Sequence, residues 1–224
     1  MSPSEASPGG VAAALADAAR AQPEVPFLFY RNARGHFRWW SFSLAAAFLD
    51  EGGVGGEKLS VKGVVVEREA VELLGPFLHA VLADSAVVGE VLPSAVAADR
   101  DIWICWRPLT DRTELALARR AVLSGAAILV EPSVTLHPEL LAWVRPTMVS
   151  ASAAELLELA DGLEALAPRF LRRRWLRQRA RRLRLLLVSG QVGEEDLARV
   201  AAKWRALSPE FAPHVVPTPV ASLV

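Results

Sequence analysis

The sequence predicts an α/β protein with a mostly parallel sheet covered by helices on both faces, preceded by an N-terminal β-hairpin. Three observations predict it. From residue 61 onward, short apolar or β-branched runs alternate with amphipathic stretches of about a dozen residues. The runs stop at glycine, serine or proline, which punctuate strands and helices in different ways. Before residue 43 the apolar period is two, with aromatic residues on both sides of Asn32-Ala33-Arg34-Gly35. Alternating strands and helices need crossover connections, and these are right-handed.

Each element follows from local chemistry. Val11 to Ala21 is alanine-rich, carries Val11, Leu15 and Ala18 on one face, and is closed by Pro23, which predicts a helix. Phe27 to Tyr30 and His36 to Phe42 predict the hairpin, with Asn and Gly supplying positive φ in its turn. Ser43 is placed to cap a helix over Leu44 to Leu49 that ends at Gly52-Gly53. Val61 to Val66 reads as one β-branched strand. Glu69 to Leu82 places Val71, Leu74, Phe77, Leu78, Val81 and Leu82 at helical spacing. Ile102 to Trp106 (strand), Glu114 to Ser124 (helix closed by Gly125) and Ala126 to Val130 (strand stopped by Pro132) form a βαβ pattern. His137 to Trp143 predicts a helix and Thr147 to Ser150 a strand, with Ser152 capping the helix Ala153 to Leu166. Leu183 to Val188 predicts a strand ending at Ser189-Gly190. Glu194 to Leu207 predicts a helix with Leu197, Val200, Ala201 and Trp204 inward, and His214 to Val216 a final strand. The expected organisation is a polar lead over 1–10 and a single α/β domain over 11–224. Within it, 11–60 hold the helix, hairpin and helix, and 61–224 the βα repeats.

Composition narrows the function classes. The chain has 224 residues, 52% of them hydrophobic, enough to bury a substantial core. Its uncharged apolar runs, such as Ala121 to Val130, fall well short of the ~20 residues that span a bilayer as a helix. The opening MSPSEASPGG has no basic residue before an apolar core, so it does not read as a secretory signal, and a cytoplasmic location is expected. One cysteine, Cys105, forms no internal disulfide and cannot build a structural zinc site, which needs about four protein ligands. The 25 basic and 25 acidic residues cancel, but nine arginines and no acid lie between Arg169 and Arg184, leaving the rest of the chain at −9.

Catalytic patterns are thin. No G-x-S-x-G elbow accompanies the four histidines, and Ser189 after a strand reads more simply as a cap or backbone binder than as a nucleophile. Cys105 between Ile104 and Trp106 reads as a buried, inert thiol, and His79 as a structural residue on a helix face. No His or Cys pair has metal-ligand spacing. Glu67 with Glu69 could hold a proton or an ion. Glu194-Glu195-Asp196 could do the same, though capping a helix explains the second group more simply.

Several segments, in order, resemble the N-terminal region of acyl-adenylating enzymes, the AMP-binding superfamily that includes acyl-CoA synthetases and peptide-synthetase adenylation domains. HFRWWSFSLAAAFLDEGG (His36 to Gly53) looks like the family's W-T/S-Y-x-E-L segment. DIWICWRPLTDRTELALARRAVLSGAAILVEP (Asp101 to Pro132) is similar to its strand, LPL turn, L-x-x-G-A helix end and strand. LLAWVRPTMVSASAAELLELA (Leu140 to Ala160) looks like its R-P-T block, and RLRLLLVSGQVGEEDLARVAAKWRAL (Arg182 to Leu207) like its L-R-x-x-x-x-G-G segment and following helix. The resemblance covers about two-thirds of the chain and implies that family's N-terminal α/β subdomain. It also implies a cleft, in which Trp106, Arg107 and Thr110, with Ser189, Gly190 and Thr218, would line a remnant pocket. A solvated loop with a packed tryptophan is the competing reading of Trp106 to Thr110.

The family's nucleotide chemistry does not come with the resemblance. Its Thr/Ser/Gly-rich phosphate loop ending in Pro-Lys-Gly has no counterpart: Ala83 to Arg100, in the corresponding place, has one glycine, no lysine and no threonine. Its Y-G-x-T-E motif finds only Val216-Pro217-Thr218-Pro219-Val220, where Pro219 replaces the magnesium-holding glutamate. The family's lid and catalytic lysine would lie beyond Val224. The resemblance is therefore to a degenerate relative, for which no cofactor is expected. It would be a catalytically incomplete subunit in acyl or carboxylate metabolism, or the acyl- or CoA-binding half of a split ligase working with a second acyl-metabolism enzyme.

The arginine run supports a different class of function. As one helix, Phe170, Leu171, Trp175, Leu176 and Ala180 interleave with guanidinium groups, and Arg172, Arg173, Arg174, Trp175, Arg177 and Arg181 form a contact surface. An anionic membrane or an acidic protein partner would meet the chain there; nucleic acid fits least, because no recognition motif accompanies the charge. A solvated helix paired with the acidic body is the simplest alternative.

Overall fold

The computed structural model describes residues 10–51, 60–61, 64–82, 101–107, 112–131, 137–190, 192–207 and 213–217. The α/β class holds, with mostly parallel strands and an antiparallel N-terminal hairpin. The chain divides into two compact units, residues 1–100 with 107–132 and residues 101–106 with 133–224. Element labels run in chain order across both.

The first unit contains α1 (Gly10–Ala21), β1 (Pro26–Arg31), β2 (Phe37–Ser41), α2 (Phe42–Asp50), β3 (Ser60–Val61), β4 (Val64–Val65), α3 (Arg68–Leu82), α4 (Arg112–Leu123) and β6 (Ala127–Val130). β1 pairs antiparallel with β2 and parallel with β6. The hairpin turn differs from expectation in one respect. Gly35 has φ 77°, but Asn32 acts through its side chain, whose Oδ1 accepts from Arg34 N at 3.1 Å and His36 N at 3.0 Å. The helix cap is Ser41 and not Ser43: Leu44 N donates to Ser41 Oγ at 3.2 Å, while the Ser43 hydroxyl lies 2.9 Å from that of Ser41. The expected strand Val61 to Val66 is instead an antiparallel pair, β3 with β4. Phe27 stacks on Phe42 with centroids 4.5 Å apart, Trp40 packs against Phe48 at 5.0 Å, and Leu15, Leu74 and Leu78 are buried.

The second unit contains β5 (Ile102–Cys105), α5 (Pro138–Val144), β7 (Met148–Ala151), α6 (Ala153–Leu166), α7 (Arg172–Ala180), β8 (Leu185–Val188), α8 (Glu194–Leu207) and β9 (His214–Pro217). Its strands are all parallel, in the order β5-β7-β8-β9. Every residue of β7 and β8 is buried, as continuous apolar runs in a parallel sheet require. α5 ends at Arg145, held left-handed at φ 54°. α6 lies so close to α5 that a Cβ on Gly162 would sit 2.6 Å from Pro138 Cγ. α8 docks on α6 through Trp204, whose indole N–H donates to Leu156 O at 3.1 Å.

The arginine segment is not the single helix expected. Only Arg172–Ala180 is helical; Leu176 and Ala180 face inward, whereas Phe170 and Leu171 are exposed. The helix starts at Arg172, so Phe170 and Leu171 lie before it, and like charges one turn apart work against a longer cationic helix. Among the described residues, no helix is long and apolar enough to cross a membrane.

Candidate functional site

In an open parallel sheet, ligands gather at the carboxyl ends of the strands, where helices begin and backbone N–H groups point outward. The register of the second unit brings four such ends together: Cys105-Trp106 after β5, Ala151-Ser152 after β7, Val188-Ser189-Gly190 after β8, and Pro217 in β9. Adjacent strands are joined there. The Trp106 indole N–H donates to Ser150 O at 2.8 Å, Ser189 N donates to Ala151 O at 2.9 Å, and Val188 stands opposite Pro217.

The sequence-predicted cleft residues fare unequally. Trp106 is buried, and its indole N–H is engaged by the Ser150 carbonyl of β7. Arg107 follows it and is half-buried. Ser189 and Gly190 sit on the same edge, and Gly190 has φ 95° with no atom within 4 Å of where a Cβ would lie, so glycine serves the backbone turn and not a close approach. Thr110, Thr218, Pro219 and the stretch Ala83 to Arg100 lie outside the described residues.

The helix N-termini at this edge carry their own carboxylates. At α6, Ser152 Oγ accepts from Glu155 N at 3.3 Å while Glu155 Oε2 accepts from Ser152 N at 2.7 Å, a closed capping box. α8 opens with Glu194, Glu195 and Asp196, all exposed. These side chains complement the positive end of the helix dipole, the position an anion would take. Among the described residues, the first turns of α6 and α8 therefore carry negative charge, which disfavours an anion at these two helix ends. Among the described residues, no cluster of three His, Cys, Asp or Glu could hold a metal ion.

The other candidates have structural partners. Glu67 Oε2 accepts from the Tyr30 hydroxyl at 2.9 Å, and Glu69 Oε2 accepts from Ala33 N at 2.8 Å, so both carboxylates hold the hairpin. Burial, then the Glu67 carboxylate, pushes the Tyr30 phenol far above its usual range. Cys105 is buried.

Two arrangements carried no sequence signal. Arg184 makes a two-pronged ion pair with Asp101, its Nε donating to Oδ1 at 2.8 Å and its Nη2 bonding Oδ2. It ties the amino ends of β5 and β8 across β7, and this pairing raises the guanidinium's pKa further. Arg179 donates to Ala142 O at 2.6 Å and lies over both Trp143 (5.9 Å) and Trp175 (5.5 Å). Of the predicted contact set, Arg172 pairs with Glu164 at 2.8 Å and Trp175 is half-buried. Arg173, Arg174 and Arg181 are exposed, and Arg177 lies on α7 with its side chain outside the described set.

No protein-family model matches the chain, and no curated protein matches it in sequence. Solved structures do. The crystal structure of CmiS6 aligns over 97% of this chain and 72% of its own, at 14% identity and a TM-score of 0.54. A long-chain-fatty-acid-CoA ligase, FadD1 from Archaeoglobus fulgidus, aligns over 54% of this chain at 14% identity and a TM-score of 0.41. The Vibrio cholerae adenylation domain AlmE, in complex with glycyl-adenosine-5'-phosphate, aligns over 54% at 20% identity and a TM-score of 0.40. The chain spans 23% of that ligase and 20% of that adenylation domain. At such identities the likeness is one of fold alone, an α/β fold with a mostly parallel sheet.

Proposed function

We propose that this chain is a catalytically incomplete acyl-CoA synthetase-like domain, a cytoplasmic pseudoenzyme or accessory subunit in acyl or carboxylate metabolism. One observation carries the reading: the helices that follow the carboxyl ends of β7 and β8 open on acidic first turns, with Glu155 closing the cap of α6 and Glu194, Glu195 and Asp196 at the start of α8, where negative charge disfavours a phosphate. The sequence of Ala83 to Arg100, without lysine or threonine, supports it independently. What remains at the carboxyl edge of the second unit is the packed Trp106 and the Ser189-Gly190 turn, a surface better suited to a partner chain than to a nucleotide. The acyl- or CoA-binding half of a split ligase is the variant in which a second polypeptide supplies the missing groups.

Pyrophosphate release from ATP, measured with a panel of carboxylic acids in magnesium buffer, tests the proposal. Background release is expected with every acid. Acid-dependent release that disappears when magnesium is chelated would refute the pseudoenzyme reading. Release that appears only when a co-purifying adenylating subunit is added back would support the split-ligase variant.

A further inference from the structure

The arginine segment presents a surface that the cleft does not use. Phe170 is 87% exposed and Trp143 is 72% exposed, with Leu171 beside Phe170 also exposed. Such large apolar side chains rarely face water together. Leu171 sits one turn before Trp175, whose backbone N–H donates to Leu171 O, and the Arg179 guanidinium bridges the Trp175 and Trp143 rings. Arg169, Arg173 and Arg174 flank the patch, and Arg181 and Arg182 follow the end of α7; all five are exposed. Acidic side chains of the chain itself engage Arg172 (Glu164) and Arg184 (Asp101), whereas these five have no acidic side chain within ion-pair distance among the described residues.

We propose that this patch docks on an anionic lipid surface, with Phe170 and Leu171 entering the interface and the arginines meeting the headgroups. The arrangement selects lipid over an acidic protein for a physical reason. Phe170 projects from the turn between α6 and α7 with arginines on both sides of it in sequence, so an apolar tip carries a cationic collar. A fluid interface accepts such a tip at any rotation, whereas a protein partner would need a socket matched to it. Trp143 and Trp175 are amphipathic rings suited to the headgroup level. The inference does not depend on the state of the cleft.

Co-sedimentation of the full chain with vesicles of phosphatidylcholine alone, or of equal parts phosphatidylcholine and phosphatidylglycerol, is the test. Binding is expected only to the anionic vesicles and should weaken as salt rises. Each arginine near such a surface contributes about fivefold in partition before screening, so the variant combining Arg173→Gln, Arg174→Gln and Arg181→Gln should bind at least ~10-fold more weakly. Phe170→Ser, at a fully solvated position, should weaken binding while leaving the salt dependence unchanged. Far-ultraviolet circular dichroism of each variant establishes that it is folded. Wild-type protein remaining in the supernatant with anionic vesicles at low salt would overturn the proposal. Folded variants that bind as wild type does would overturn it too. So would a wild-type dimer in light scattering that Phe170→Ser converts to monomer without any vesicle binding, since a second copy would then be the occupant.

Discussion

Gly162→Ala probes the packing of α5 on α6, the helix that follows the carboxyl end of β7. The new methyl carbon would lie 2.6 Å from Pro138 Cγ and 3.0 Å from Pro138 Cβ, where carbon atoms in contact prefer ~3.5–4.0 Å. Pro138 is in the first turn of α5 and its ring has no torsion through which to withdraw, so the helices must shift by about 1 Å. Two effects of opposite sign compete. Replacing glycine by alanine inside a helix contributes about 1 kcal/mol of stability, whereas forcing an extra methyl group into a packed contact costs about 1–3 kcal/mol. The net expectation is a loss of about 1 kcal/mol, readable as a lower urea midpoint at unchanged slope. In a Pro138→Ala background the 2.6 Å contact disappears and the 3.0 Å contact remains, so the loss should shrink by about 1 kcal/mol. A stabilised Gly162→Ala protein, or an identical effect in the two backgrounds, would refute the reasoning.

Two further expectations concern the same unit. Ser152→Ala opens the capping box of α6 and should lower stability by about 1 kcal/mol in urea titration. Combining it with Glu155→Ala should add less than the sum of the two, because both side chains serve one cap, and full additivity would contradict the geometry. Glu164 is held below the ordinary carboxylate range first by the Lys203 hydrogen bond and then, against burial, by that of Arg172. A folded-state value below the unfolded one of about 4.3 means that the interaction stabilises fully above that pH and is lost as pH falls through the lower folded value. Side-chain carboxyl titration by nuclear magnetic resonance should show the Glu164 midpoint rising in Lys203→Met. An unmoved midpoint would remove Lys203 as the cause.

How much of this could be read from sequence depended on whether the signal was local. The bounds Ala153–Leu166 and Glu194–Leu207 match the expected helices because Ser152, and the acids at 194–196, announce helix starts within a few residues. The hairpin was legible from alternating aromatics. The caps were legible only as residue types: Ser41 and Ser43 are equivalent in composition, and helix geometry alone selected Ser41. Partners distant in sequence left no trace. Asp101 and Arg184 are 83 residues apart, and Arg184 read as one more member of a cationic run until the parallel register set it beside Asp101. Likewise nothing at Phe170 distinguished a core stripe from an exposed tip, because the spacing fits either until the helix start is known to fall at Arg172. For Trp106 the sequence favoured packing over a pocket wall, but it carried no trace of the indole's hydrogen bond to the Ser150 carbonyl, 44 residues away.

Calorimetric titration of magnesium-ATP into the purified full chain tests the central claim most directly, because it asks for binding without asking for turnover. With carboxylates at the α6 and α8 termini and no lysine or threonine in Ala83 to Arg100, the account predicts no saturable heat at millimolar nucleotide. A saturable, magnesium-dependent isotherm would contradict it.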